Sequence, residues 1–237
     1  MKFKSNKILF AALFIFLWGL AYANEKKEIV QVSTLDSLSR GHYAGAYTIK
    51  ELHQYGDFGL GTFNGLNGEM VILDNQFYQI TSDGRVHLAD DTMTVPFLTM
   101  TFFHADQRFS FKKSVDEKEF EKYMESWFPN RNHFYAIKIK GVFQVVKTRS
   151  VPKQHQPYLP LSEVIKNQQK VFYLKNVQGT MLGFWCPVYA AGMNVTGYHF
   201  HFLTDDKRAG GHVLNFTTGS VVVEIEEITQ FRALLSK

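Results

Sequence analysis

Residues 171–237 hold one strand-like segment after another, and one of those segments carries a His-x-His pair. Strands are expected at 171–174, 179–187, 194–202, 212–216 and 220–225, with turn residues between them. Five consecutive antiparallel strands suit a small barrel or sandwich, in which few edges stay open. In Gly197-Tyr198-His199-Phe200-His201-Phe202, side chains alternate between faces, so His199 and His201 share one. A hairpin through 204–211 then returns Gly210-Gly211-His212 opposite them. Three converging imidazoles with a fourth position open form the donor set of a catalytic zinc site. Imidazole also suits copper, iron, nickel and manganese, so residue type alone does not fix the metal. Three neutral ligands leave a +2 charge uncompensated, which favours an anionic substrate with adjacent oxygens, such as a hydroxy- or keto-acid. Asp205 and Asp206 read as turn formers. His42, His53, His87, His104, His133 and His155 lack ligand spacing and read as surface or structural.

Charge excludes one class of partner. Lys2, Lys4 and Lys7 precede an apolar stretch over 8–20 and the small-residue site Ala21-Tyr22-Ala23. This is the pattern of a secretory signal peptide over 1–23, cut before Asn24, and it implies an exported protein, periplasmic or secreted. The chain has 26 Lys+Arg against 22 Asp+Glu, a formal +4. Removing those three lysines leaves 23 against 22, so the mature chain carries +1 and no nucleic-acid surface is expected. No membrane association is expected after cleavage. Cys186 is the sole cysteine, which excludes an intrachain disulfide and reads as a small buried apolar residue.

Upstream, 24–32 reads as a loose polar terminus, with short helices at 33–38 and 48–54. Strands follow at 70–73 and 76–80 around Asp74-Asn75, and again at 96–103. Ser114 and Glu117 have capping-box spacing, Phe120, Tyr123, Met124 and Trp127 form a helical stripe, and Pro129 stops it. Residues 134–147 alternate, with Tyr135, Ile137 and Ile139 on one face, and suggest two strands around Lys140-Gly141. The Pro-containing stretch 151–160 reads as a domain boundary, followed by a helix at 162–169. Two charges stand out: Glu69 after a Gly-rich turn, and Arg149 at the end of an apolar strand, where a planar donor suits a carboxylate. Taken singly, each reads as solvated.

Taken together, these segments resemble the α-acetolactate decarboxylase family. The matching runs are Gly56-Asp57-Phe58-Gly59-Leu60-Gly61-Thr62-Phe63, Leu66-Asn67-Gly68-Glu69, Phe77-Tyr78-Gln79, Phe134-Tyr135-Ala136-Ile137, Lys147-Thr148-Arg149-Ser150-Val151, Gly183-Phe184-Trp185 and the histidine segments. They keep their order over residues 52–216. The resemblance implies that His199, His201 and His212 are zinc ligands. It implies that Glu69 and Arg149 are active-site residues and that Thr62 lies near the substrate. The implied fold is α/β (α+β). A mixed-sheet N-terminal domain over 24–152 carries a few helices, a small antiparallel β-barrel occupies 153–237, and the active site lies between them. A homodimer is also implied. The implied reaction converts (S)-2-acetolactate, a small anionic 2-hydroxy-3-keto acid, to (R)-acetoin and carbon dioxide.

There are two departures. Asn67 stands where the family commonly has Asp, and the second glutamate of the family's C-terminal tail has no assigned counterpart. Strand alternation gives no reason to place Glu224, Glu226 or Glu227 in the site. Two other readings remain open on sequence: a cupin-like metal oxygenase or isomerase, and a non-catalytic exported metal- or ligand-binding protein.

Overall fold

The computed structural model describes residues 27–235. The expected signal peptide over 1–23 lies outside the described residues. In chain order the elements begin with β1 (Glu28–Val32), α1 (Leu35–Ser39), β2 (Tyr47–Thr48), α2 (Ile49–Leu52), β3 (Phe58–Thr62), β4 (Glu69–Leu73) and β5 (Gln76–Ile80). They continue with β6 (Val86–Leu88), β7 (Thr94–Val95), β8 (Phe97–Thr101), β9 (Gln107–Phe111), α3 (Glu117–Trp127) and β10 (Phe134–Ser150). The last are α4 (Leu161–Gln168), β11 (Lys170–Cys186), β12 (Gly197–Thr204), β13 (Gly210–Ile228) and β14 (Gln230–Leu234). Among the described residues, no helix is long and apolar enough to cross a membrane.

The result is a sheet-rich α+β fold. Seven strands form one sheet in the order β14-β1-β8-β3-β4-β5-β6. It is mixed, because β1 runs parallel to β14 and antiparallel to β8. Five strands form a second sheet in the order β10-β11-β12-β13-β9. β10 also pairs with β13, so each of the four longest-paired strands has a neighbour on both sides. Ile29, Phe58, Leu60 and Val71 of the first sheet meet Ala136, Leu182, Phe184 and Leu203 of the second in one buried cluster. On the other face of β10, Tyr135, Ile137 and Ile139 join Phe120 and Met124 of α3, as their alternation and helical spacing require.

Several expectations are corrected. The sheets do not divide the chain at 152/153: β9 and β10 precede that point and belong to the second sheet, while β14 returns to the first. The described part of the stretch 24–32 is not a loose terminus, and residues 24–26 lie outside the described residues. Its residues 28–32 form β1 between two partners, with Ile29, Val30 and Val32 buried. The pair of strands expected around Gly141 is one 17-residue strand, with register shifts near Gly141 taking up the bend. Likewise the strands expected over 171–187 merge into β11, which ends at Cys186, and those over 212–225 lie within β13. The cap of α3 is Asp116, whose Oδ1 accepts the Glu119 N–H at 2.8 Å. Val115 is fully buried and bonded both ways to Thr218, so helix cannot begin before it. The reciprocal capping box occurs instead at Thr48 and Glu51.

Two predictions arise here. Cys186 is fully buried in the cluster between the sheets, and burial pushes its thiol up to about 12. The native protein should therefore resist a disulfide reagent at pH 8 and react with one equivalent once denatured; rapid native labelling would refute this. His53 bridges two oxygens, Asn75 Oδ1 at 2.8 Å and Asp91 Oδ1 at 3.0 Å. The Asn75 contact raises its pKa, partial burial opposes the rise and Asp91 adds to it. A raised folded value stabilises the fold below the unfolded value near 6.5, and that contribution is lost as pH rises through the folded value. The unfolding midpoint of the parent should exceed that of His53→Gln at pH 5.5 by more than it does at pH 8.5. A constant difference would overturn the bridge.

Candidate active site

Strand pairing lines up the second sheet's contribution. His201 on β12 pairs with His212 on β13, and His212 pairs on its other side with Arg149 on β10. His199 lies two residues before His201 on the same face, while Phe200 and Phe202 turn into the core. The strands approach so closely that a Cβ on Gly183 would sit 1.9 Å from the His199 carbonyl oxygen. Gly211, at φ +130°, lets the hairpin bring His212 beside Arg149, where a Cβ would sit 2.5 Å from the Arg149 carbonyl. The first sheet supplies a second pair: Thr62 on β3 lies directly across from Glu69 on β4.

The three imidazoles converge. His199 Nε2 and His212 Nδ1 are 3.2 Å apart, and His212 Nδ1 and His201 Nε2 are 3.3 Å apart. One ring nitrogen from each histidine falls within a group spanning no more than 4.8 Å. His201 Nδ1 donates to the Met70 carbonyl at 2.7 Å, which leaves its Nε2 with a lone pair aimed at the other two rings. Burial lowers His199 to about 3, with Arg149 acting in the same direction. Burial also drives His201 and His212 well below the usual imidazole range, helped by the neighbouring rings and Arg149. All three are therefore neutral, the form that binds a metal. Their spacing also fits: nitrogens bound at about 2.0–2.1 Å around a tetrahedral ion lie roughly 3.3–3.4 Å apart. These residues can hold a metal ion.

Beside them, Glu69 Oε2 lies 3.6 Å from His201 Nε2. Glu69 is 8% exposed, and burial raises its carboxyl to about 7 against the opposing pull of Arg149. Arg149 Nε is buried without a hydrogen-bond partner among the described residues, as is His199 Nδ1. An unanswered guanidinium donor beside three neutral rings is a site prepared for an anion. The cavity they share is about 100 Å³.

Thr62, Glu69, Arg149, His199, His201 and His212, the six candidates from sequence, all line this one cavity. Neither Glu69 nor Arg149 is the solvated surface charge that each resembles in isolation. Thr62 spends its hydroxyl proton on the Gly68 carbonyl at 2.7 Å, which fixes the turn leading into Glu69. The three late glutamates are engaged elsewhere. Glu224 pairs with Lys138, Glu226 accepts the His104 N–H, and Glu227 accepts from the Tyr135 hydroxyl. Asp206 accepts from Thr204 Oγ1 in the turn, as a turn former should. Sequence reasoning missed the apolar half of the cavity, which includes Leu35 and Leu38 of α1 and Leu161 and Ile165 of α4. The i,i+3 and i,i+4 spacings of those two pairs were the available signal.

The chain matches the family model "Alpha-acetolactate decarboxylase" over residues 29–237. It is 44% identical over 207 residues to the alpha-acetolactate decarboxylase of Methanosarcina mazei, covering 86% of this chain and 72% of that protein. It is 43% identical over 206 residues to the one from Brevibacillus brevis, covering 87% of this chain and 72% of that protein. The crystal structure of the Bacillus subtilis strain 168 alpha-acetolactate decarboxylase superposes with a TM-score of 0.87 at 40% identity, covering 89% of each chain. With nearly all of its described fold and all of its candidate site inside these matches, the chain belongs to the alpha-acetolactate decarboxylase family.

Proposed function

We propose that this protein is a zinc-dependent decarboxylase that converts (S)-2-acetolactate to (R)-acetoin and carbon dioxide. The observation that carries the reading is the partnerless Arg149 Nε beside three neutral imidazoles and the buried Glu69. His199 and His201 through Nε2, and His212 through Nδ1, would hold the ion. Zinc held there would supply Lewis acidity for the charge that develops on the substrate.

The chain's own residues do the rest. Arg149 binds the substrate carboxylate and orients the bond that breaks. That bond joins C2 to the carboxyl carbon; carbon dioxide leaves, and the electron pair moves toward the ketone to give an enediol-type species. Glu69, on the wall from β4, delivers a proton to one face of the carbon that must be reprotonated. The apolar residues opposite exclude water from the reacting carbon.

Purified mature protein should release acetoin from racemic acetolactate well above the spontaneous rate and contain about one zinc per chain, as three ligands and an open position require. No acetoin from the zinc-loaded protein would end this reading. Stoichiometric redox-active iron or copper would favour the cupin-like alternative instead. We further propose that the enzyme is exported after cleavage before Asn24 and works as a homodimer with a small closed barrel built from β10–β13. The Lys-rich start with its small-residue site supports export, and the β10–β13 pairing supports closure. The N-terminal sequence of the secreted product and the mass in solution test these.

A further inference from the structure

We propose that Ile165 and Val195 set the size of the alkyl group that the site accepts on the substrate's C2. The inference rests on the decarboxylase reading and adds to it the residues that bound its substrate. In a 2-alkyl-2-hydroxy-3-oxo acid, the carboxylate, hydroxyl and ketone are all polar. They are drawn to the half of the cavity made by Arg149, Glu69 and the histidines. The alkyl group is left facing the apolar half.

Most of that apolar half is spoken for by core packing. Leu38, Leu66, Phe97 and Val151 belong to a buried cluster with Tyr43 and Val164, and Leu35 and Leu161 pack against it. Ile165 and Val195 line the cavity but join none of the four apolar clusters among the described residues. Their bulk is therefore not explained by the fold, and the cavity is what they fill. Both are nevertheless held firmly. Ile165 follows Val164, which is fully buried and anchors α4 in its cluster. Val195 follows Asn194, a buried residue whose Nδ2 donates to Gln31 Oε1 at 2.7 Å and Thr99 Oγ1 at 3.0 Å. Asn194 Oδ1 in turn accepts the Val195 N–H at 2.7 Å. Two branched side chains on firmly held backbone over a cavity of about 100 Å³ form a gauge for added methylenes.

The test measures kcat/KM on the zinc-loaded protein for the 2-methyl, 2-ethyl and 2-propyl homologues of 2-hydroxy-3-oxobutanoate. Parent, Ile165→Ala, Val195→Ala and Ile165→Phe are compared, each by its own ratio of longer to shorter homologue. A ratio cancels any loss of active fraction, so a partly unfolded variant still reports. One methylene in an apolar pocket changes kcat/KM by roughly 10–200-fold, so each alanine variant should raise the ratio by at least about 10-fold. Ile165→Phe should lower it. Ratios unchanged within about twofold in all three variants, with the parent active on the methyl substrate, would overturn the inference alone. A zinc-loaded parent that turns over none of the homologues would overturn the decarboxylase reading, and this inference with it.

Discussion

On the decarboxylase reading, replacing Glu69 by Gln should lower kcat by roughly 10²–10⁴-fold, the range for losing a positioned general acid, while the metal stays bound. Gln keeps the length and polarity of the side chain and removes only the transferable proton. All three ring nitrogens remain, so metal content measured after dialysis should match the parent. Arg149→Ala fails differently. It removes the guanidinium whose Nε has no partner among the described residues, so the substrate carboxylate should lose its clamp and KM should rise as kcat falls. Arg149→Lys restores the charge but not the planar fork, and recovers only part of the loss. Steady-state kinetics with metal analysis on all three variants separates the roles. Parent-like turnover in both Glu69→Gln and Arg149→Ala would show that neither residue acts in the reaction.

How much of this centre could be read from the chain alone follows from which contacts are local. His199 and His201 share a face because strand alternation dictates it, and His212 lies opposite because a short hairpin returns the chain. Both relations span a dozen residues or so and leave a pattern in the sequence. Glu69 and Arg149 leave none. Their burial is created when β4 meets β12 and β13, segments far apart in the chain, and nothing local to either residue reports it. The Met70 carbonyl that orients His201 is backbone, so no residue choice could reveal it. The same limit hid β1, because 24–32 reads as one polar, terminal run until β8 and β14 close on both sides of 28–32. It also made one long β10 look like two strands, because a bend taken up by register shifts resembles a turn in sequence.

The asymmetry between His201 and His199 yields the second large effect. Alanine at either position leaves two imidazoles, and both variants should lose zinc and turnover together. Without metal, however, the two should differ. His201 Nδ1 answers the Met70 carbonyl at 2.7 Å in a position only 1% exposed, whereas His199 Nδ1 has no partner to abandon. His201→Ala thus loses a buried hydrogen bond, at a cost of about 0.5–1.5 kcal/mol, and His199→Ala does not. In urea unfolding with chelator present, His201→Ala should be the less stable variant by about that amount. The parent, by contrast, should gain stability as zinc is added, by about 2.7 kcal/mol once free zinc reaches 100 times Kd. Equal stability of the two variants in chelator would mean that the Met70 bond contributes nothing to the fold. His201 would then be held in place by its strand neighbours alone.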